Sequence, residues 1–312
     1  CSIPCLHQPD RGVQVMSTLA ERIEAKPVAR NRKRKLNGKE QFALVFKYIS
    51  LTILFVIAIL PIYIMVINSV KGITGVTQSA AFVPPTKLDF SAWKPVWNNL
   101  KESLGRTAFF VFQSSIISAI IGSINGFVFA KWRFRGSNII FMLFLFGMFI
   151  PYQAIMIPLV QFNKWSGLTG SIYVLVVSHI IYGIPICTLI FRNYYAGIPN
   201  EVIEAARVDG AGMVKVFRTI ILPLSIPGFV VVLIWQFTSA WNDFLFAIFL
   251  TGGSPRLAVA TTALNFITGS GNQVYYGNNM TASLIVSIPT LLVYMFLGRY
   301  FLRGLLSGSL KG

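Results

Sequence analysis

Six apolar runs, each about 20 residues or longer, constrain this chain more than any other feature of its sequence. They fall at 48–67, 108–130, 138–159, 171–191, 224–250 and 282–301. A bilayer's hydrocarbon layer is roughly 30 Å thick and offers no water to unpaired backbone groups, so a run of that length crosses it as a helix that closes its own hydrogen bonds. Barrel strands are disfavoured, because the runs are continuous and do not alternate every second residue. With 54% of 312 residues hydrophobic and only 12% charged, too little charge exists to shield this surface in water. The expected fold is therefore all-α and integral to a membrane, with six transmembrane helices. Pro61, Pro151, Pro158, Pro185, Pro227 and Pro289 lie inside the runs. Neighbouring helices can satisfy the carbonyls they free, so kinks and not breaks are expected.

The formal net charge of +17 resembles a nucleic-acid signal until its placement is considered. Ten of the 27 basic residues precede the first run, and the densest cluster, Arg30, Arg32, Lys33, Arg34 and Lys35, lies close before it. By the positive-inside rule this cluster holds the N-terminus in the cytoplasm. Alternation then puts Lys131, Arg133 and Arg135, the group Arg192, Arg207, Lys215 and Arg218, and Arg299, Arg303 and Lys311 on the same side, with both termini cytoplasmic. Lys164 and Arg256 are alone in their outer loops. The outer loop 71–106 carries five basic residues and fits less well, but long segments translocate with less regard to charge. A basic tail beside spans points to lipid, and no nucleic-acid partner is expected.

This reading divides the chain into a basic cytoplasmic segment, 1–47, and a transmembrane domain, 48–312. Residues 1–15 are expected to precede the native start, since Met16 opens a polar, basic stretch of the ordinary kind, and are set aside from fold reasoning. Three cysteines, Cys1, Cys5 and Cys187, give neither a disulfide framework nor a paired metal-binding spacing, and no metal site is expected.

Active transport needs an energy source, yet the chain has no Gly-rich phosphate loop ending in Gly-Lys-Ser/Thr. It also lacks a His-Glu-x-x-His metal helix and a Gly-x-Ser-x-Gly nucleophile turn. Any ATP must be bound by another subunit. Away from the membrane-facing ends of the runs, only His179 and Asp243 stand out as embedded acidic, basic or imidazole side chains, too sparse a set for a proton relay. His179 is expected to be a neutral side chain hydrogen-bonded between helices, and Asp243 to reach a wet cavity.

The loop 193–223 contains Pro199-Asn200-Glu201-Val202-Ile203-Glu204-Ala205-Ala206-Arg207-Val208-Asp209-Gly210 and, downstream, Ile220-Ile221-Leu222-Pro223. Asn200 suits an N-cap, Glu201 and Glu204 place negative charge at the start of the helix dipole, and Gly210 suits a stop. Val202, Ala205, Ala206 and Asp209 share one side at helical spacing, a face of small residues that can lie against a partner.

This stretch resembles the Glu-Ala-Ala loop of bacterial ABC importer permeases, with Gly210, Ile220, Leu222 and Pro223 at the family spacing. The segments 241–246 (Trp-Asn-Asp-Phe-Leu-Phe) and 299–312 look like the carbohydrate, maltose-importer type; 150–153, 179–183 and 191–195 look closest to its glucose/mannose branch. The resemblance implies a type I importer permease in the cytoplasmic membrane, with the loop forming a coupling helix that docks on an ATPase. Glu201, Glu204, Ala205, Ala206, Asp209, Gly210, Ile220, Leu222 and Pro223 are the implied coupling residues. Implied partners are a homologous second permease, two ATP-binding subunits that hold ATP and Mg, and an extracytoplasmic sugar-binding protein. This chain itself would bind no cofactor and catalyse nothing.

Sugars call for aromatic faces beside amide and carboxylate acceptors. Gln236, Trp241, Asn242 and Asp243 supply that mixture as a candidate substrate path. The aromatic's alternative roles, interfacial anchoring and helix packing, stay open, as does a partner permease that holds the sugar alone. The rival classes are a channel or secondary transporter without an ATPase, expected to show more intramembrane charge or a repeat, and a membrane enzyme, expected to show a nucleophile or metal set. A disaccharide or sugar-polyol is the alternative substrate.

Overall fold

A computed structural model describes residues 37–78, 81–132, 134–269 and 275–309. The basic cluster 30–35 and the tail 310–312 lie outside the described residues. The principal helices are α1 Gly38–Ser69, α2 Trp93–Lys131, α3 Ser137–Phe149, α4 Met156–Trp165, α5 Tyr173–Ala196, α6 Asn200–Val208, α7 Ile226–Trp241, α8 Leu245–Leu250, α9 Ala260–Gly269 and α10 Tyr276–Ser309. Among the described residues, α1, α2, α5 and the 276–300 part of α10 are each long and apolar enough to cross a membrane. Two bent pairs, α3 with 152–165 at 87° and 213–224 with α7 at 75°, bring the number to as many as six if each pair counts as one span.

The prolines behave in two ways, and the expectation of kinks alone needs correction. The helices run through Pro61, Pro185 and Pro289. Pro151, however, marks a break: Ile150 before it is extended (φ −68°, ψ 117°), the conformation a following pyrrolidine ring favours, and a 3₁₀ turn, Tyr152–Ile155, leads into α4. Pro158 falls in the first turn of α4, where its missing N–H has no intrahelical partner to lose. A π turn, Phe217–Ile221, and the short Leu222–Leu224 precede the second bend at Ser225, with Pro227 at the start of α7. The fifth run is interrupted again at 242–244, so it is not one helix. The loop 71–106 is shorter than expected, because Lys94, Lys101 and Arg106 belong to α2.

The described residues fall into two compact units, one ending at Ile59 and the other beginning at Leu60. In the first, the apolar side chains of α1, such as Leu54 and Phe55, are exposed, as suits a surface solvated by acyl chains. In the second, α2 touches every layer of the core. Its first turns pack Val96 and Leu100 with Ala260, Ala263 and Ile285. Its middle packs Phe110 and Val111 with Met156, Val174, Trp241 and Phe246. Its last third packs Ala119 and Phe127 with Phe191, Tyr195, Ile203 and Ile221.

Lipid tails give helices no hydrophobic reason to associate, so close approach must supply dispersion and hydrogen bonds. Ser118, Gly122 and Gly126 recur every fourth residue along the α2 face that meets α5. A Cβ at Gly122 would overlap that of Cys187, and one at Gly126 would stand 2.6 Å from the Cβ of Phe191. Buried hydroxyls pair across the same seam: Ser123 Oγ lies 2.7 Å from Tyr195 Oη.

At the other end of α2, backbone closes the loop after α1. Asp89 N–H donates to Val70 O (2.8 Å), Gly72 N–H donates to Asp89 O (3.0 Å), and Trp93 Nε1 donates to Ser69 O (3.0 Å). The Ser91 N–H and hydroxyl, donating to the Asp89 carboxylate, hold it below the usual value of 3.8. A Cβ at Gly277 of α10 would collide with the Gly72 carbonyl, so this junction is backbone against backbone.

Candidate functional site: a tethered loop helix and an intramembrane cleft

The run-in to α6 departs from expectation. Asn200 is not the N-cap: Pro199, extended at φ −57° and ψ 138°, occupies that position, and α6 begins with Asn200 itself. The Asn200 amide oxygen instead accepts a hydrogen bond from Lys131 Nζ at 2.8 Å. Glu201 alone lies in the first turn. Glu204 follows in the second, where the dipole's pull has largely decayed, so a dipole role for Glu204 is also corrected.

The far end of α6 stops at Gly210, in the left-handed region at φ +76°. Ala211 N–H donates to Ala206 O (2.9 Å) and Gly210 N–H to Arg207 O (3.0 Å), the paired bonds of a Schellman motif. Ile203 is 4% exposed and joins Phe191, Tyr195 and Ile221 in the core, with Ile198, Ala206 and Ala211 against it. That turns Ala206 half inward, away from the face it was expected to share with Val202, Ala205 and Asp209. The side left outward carries Glu201, Val202, Glu204, Ala205 and Asp209. Downstream, Ile220 is half-buried and Leu222 and Pro223 are exposed, while Ile221 between them is fully buried and anchors the turn.

Two residues distant in sequence reach this loop. Lys131, the last residue of α2, donates from Nζ to Ile198 O at 2.6 Å as well as to Asn200. The Arg207 guanidinium lies 4.7 Å from the centre of the Trp132 ring. A cleft of about 530 Å³ opens among Lys131, Trp132, Asn200, Glu204 and Arg207.

The candidate substrate residues divide. A second cleft, about 410 Å³, is lined by Tyr152, Tyr182, Trp235 and Phe246 and by the polar His179, Gln236, Ser239, Asn242 and Asp243. Gln236, Asn242 and Asp243 are thus brought together. Trp241 does not line this cleft: 4% exposed, it stacks on Phe237 and donates from Nε1 to Val286 O at 3.0 Å, which is the packing role left open above. Gln236 donates from Nε2 to His179 O (3.0 Å), and Asn242 from Nδ2 to Thr238 O (2.9 Å).

Asp243 sits in the break between α7 and α8. Its carboxylate accepts the N–H groups of Phe246 (3.3 Å) and Ala247 (3.1 Å), closing the start of α8. The same group lies 3.7 Å from His179 Nε2, and Thr261 Oγ1 donates to its carbonyl at 2.6 Å. His179 is packed between Phe110 and Phe246, with Nδ1 2.9 Å from Leu175 O. Tyr152, Tyr182, Trp235 and Ser239 were not singled out from sequence. Only the break at Pro151 brings Tyr152 round to Phe246, at 5.4 Å between ring centres.

Residues 118–307 match the family model described as "Binding-protein-dependent transport system inner membrane component". The chain belongs to this family. The matched segment contains the whole α6 loop and all the lining residues of the second cleft named above. This permease is 34% identical over 275 residues to the xylose/arabinose import permease protein XacI of Haloferax volcanii, covering 79% of this chain and 87% of the relative. It is 33% identical over 274 residues to the glucose import system permease protein GlcU of Saccharolobus solfataricus, covering 85% and 95%. A solved bacterial ABC transporter involved in the import of the acidic polysaccharide alginate shares the fold, with a TM-score of 0.75 at 22% identity over 85% of this permease and 99% of that chain. As a permease, the chain is the membrane component of an ABC importer.

Proposed function

We propose that this permease carries a neutral sugar, glucose or a close relative, through the cytoplasmic membrane of a bacterium or archaeon. ATP and Mg would be held by two partner ATPases; a homologous permease and an extracytoplasmic sugar-binding protein complete the importer. The observation that carries the coupling half of this reading is the geometry of α6: Ile203 seats the helix against the core, Gly210 ends it, and Glu201, Glu204, Ala205 and Asp209 are left outward for a docked subunit. In the membrane, the second cleft offers tyrosine and tryptophan faces beside amide, hydroxyl and carboxylate groups, the mixture a polyhydroxylated neutral solute wants. Two relatives bear the names of xylose/arabinose and glucose permeases, which supports a monosaccharide.

The α6 loop and both termini are assigned to the cytoplasm by the basic residues of the sequence. Reporter fusions after Val214 and after Ser254 should report opposite sides, the first inside. Uptake of labelled glucose, mannose, xylose and a disaccharide in cells lacking the chain tests the substrate. Loss of glucose uptake is expected; intact glucose and mannose uptake with lost disaccharide uptake would overturn the monosaccharide assignment.

A further inference from the structure

The covalent chain holds α6 weakly. Before it stand Gly197, Ile198 and Pro199; after it come Gly210, Ala211 and Gly212, which offer no long side chain. Ile203 plugs the middle of the helix into the core with Ala206 beside it, an apolar contact near the rotation axis that resists turning less than attachments at the two ends of the helix would. The remaining constraint comes from the end of α2. Asn200, Ile203, Glu204 and Arg207 recur at i, i+3, i+4 and i+7, one stripe of α6, and all four line the cleft opposite Lys131 and Trp132.

The two attachments lie at opposite ends of that stripe, about 10 Å apart at 1.5 Å per residue. At one end the Lys131 ammonium bridges Ile198 O and Asn200 Oδ1. At the other the Arg207 guanidinium rests over Trp132. Trp132 can present its ring there because α2 ends at Lys131: Trp132 is extended (φ −113°, ψ 97°), while its N–H still donates to Val128 O. Two points fix a direction as well as a position. From Lys131, α2 runs as one helix, closely seamed to α5 at Gly122 and Gly126, to Phe110, whose ring centre lies 5.2 Å from that of His179 beside the second cleft.

We infer that the last turn of α2 is a second anchor for α6, with Lys131 and Trp132 as positioning residues that carry a displacement of α6 along α2 toward the intramembrane cleft. The inference rests on the importer reading above. Without the anchor, α6 still docks, but its movement is spent in rotation about Ile203 and in the glycine-flanked turns.

The test uses the whole complex, copurified with its ATPase, second permease and binding protein and reconstituted in vesicles, with ATP hydrolysis and uptake of labelled glucose and xylose measured together. Losing a charge-assisted hydrogen bond pair should lower sugar accumulated per ATP hydrolysed about tenfold in Lys131→Met. Trp132→Ala should fall in the same direction, Trp132→Phe less far, and Lys131→Arg, which keeps charge and donors, should recover most of the ratio. Should Lys131→Met fail to assemble, the two Trp132 variants decide on the same measurement. An unchanged ratio in Lys131→Met and Trp132→Ala overturns the anchor, as does an equal loss in Lys215→Met, which removes the same charge from an exposed position on the loop. A wild-type complex that takes up no sugar on ATP overturns the importer reading instead, so the two failures are told apart.

Discussion

Replacing Gly210 isolates backbone conformation from packing. The residue sits at φ +76°, and a Cβ built there meets nothing within 4 Å, so no neighbour resists a side chain. Whatever a substitution costs therefore comes from forcing an L-residue into the left-handed region, roughly 1 to 2 kcal/mol, with β-branched valine at the upper end and asparagine well below alanine. The alternative open to the loop is to give up the Ala211 to Ala206 and Gly210 to Arg207 bonds and let the end of α6 unwind. A shift of 1 to 2 kcal/mol changes that balance by a factor of roughly 5 to 30. If α6 couples ATP hydrolysis to transport, uptake per ATP should fall in the order Gly, Asn, Ala, Val at position 210, at unchanged membrane levels on immunoblots. The measurement is ATP hydrolysis and sugar uptake in the same reconstituted vesicles. Equal coupling in wild type and Gly210→Val would refute the argument, and so would Gly210→Asn falling as far as Gly210→Val, since the cause would then be side-chain bulk and not φ.

Glu204→Ala, which removes an outward carboxylate without touching a span, should reduce binding-protein-stimulated ATPase activity and uptake together; wild-type values of both would exclude Glu204 from coupling. Gly126→Ala should destabilise the detergent-solubilised protein by about 1 to 3 kcal/mol, because the new methyl meets Phe191 Cβ at 2.6 Å and Arg192 N at 2.8 Å. Gly147→Ala, with nothing within 4 Å, should not lower the thermal midpoint, and equal losses at both sites would disprove the close-seam account. Gln236→Leu removes a cleft amide of similar size and its bond to His179 O, and should raise the KM for uptake more than it lowers protein level. An unaltered KM would take Gln236 off the substrate path. Since the Ser91 donors depress the Asp89 carboxyl below 3.8, their stabilisation is complete above that value and lost as pH falls through the lower folded one. Hydrogen exchange around 70–91, corrected for intrinsic rates, should accelerate at those acidic pH values in wild type, and an equal acceleration in non-titrating Asp89→Asn would refute the assignment.

What the sequence determined alone was whatever depends on near neighbours along the chain. Run length against bilayer thickness set the all-helical membrane class, and the left-handed stop at Gly210 follows from a helix pattern meeting the residue that tolerates positive φ. Because local spacing also carries motifs, the Pro199–Gly210 and Ile220–Pro223 segments were sufficient to suggest the permease family. The seam of Ser118, Gly122 and Gly126 is likewise written locally, as small residues four apart, but which helix it meets is not. Tertiary structure decided everything that turned on a partner far along the chain. Pro61 and Pro151 look alike in sequence, yet one helix continues and the other breaks, and at the break Tyr152 packs on Phe246, a partner far along the chain. Trp241 and Asn242 are adjacent, yet one is buried with its indole N–H on Val286 O and the other is exposed at the cleft. Asn200 had the chemistry of a cap, but an ammonium 69 residues away claimed its oxygen. A polar side chain in a protein satisfies whichever partner the packed helices bring within about 3 Å, and spacing along the chain says nothing of which helix that will be.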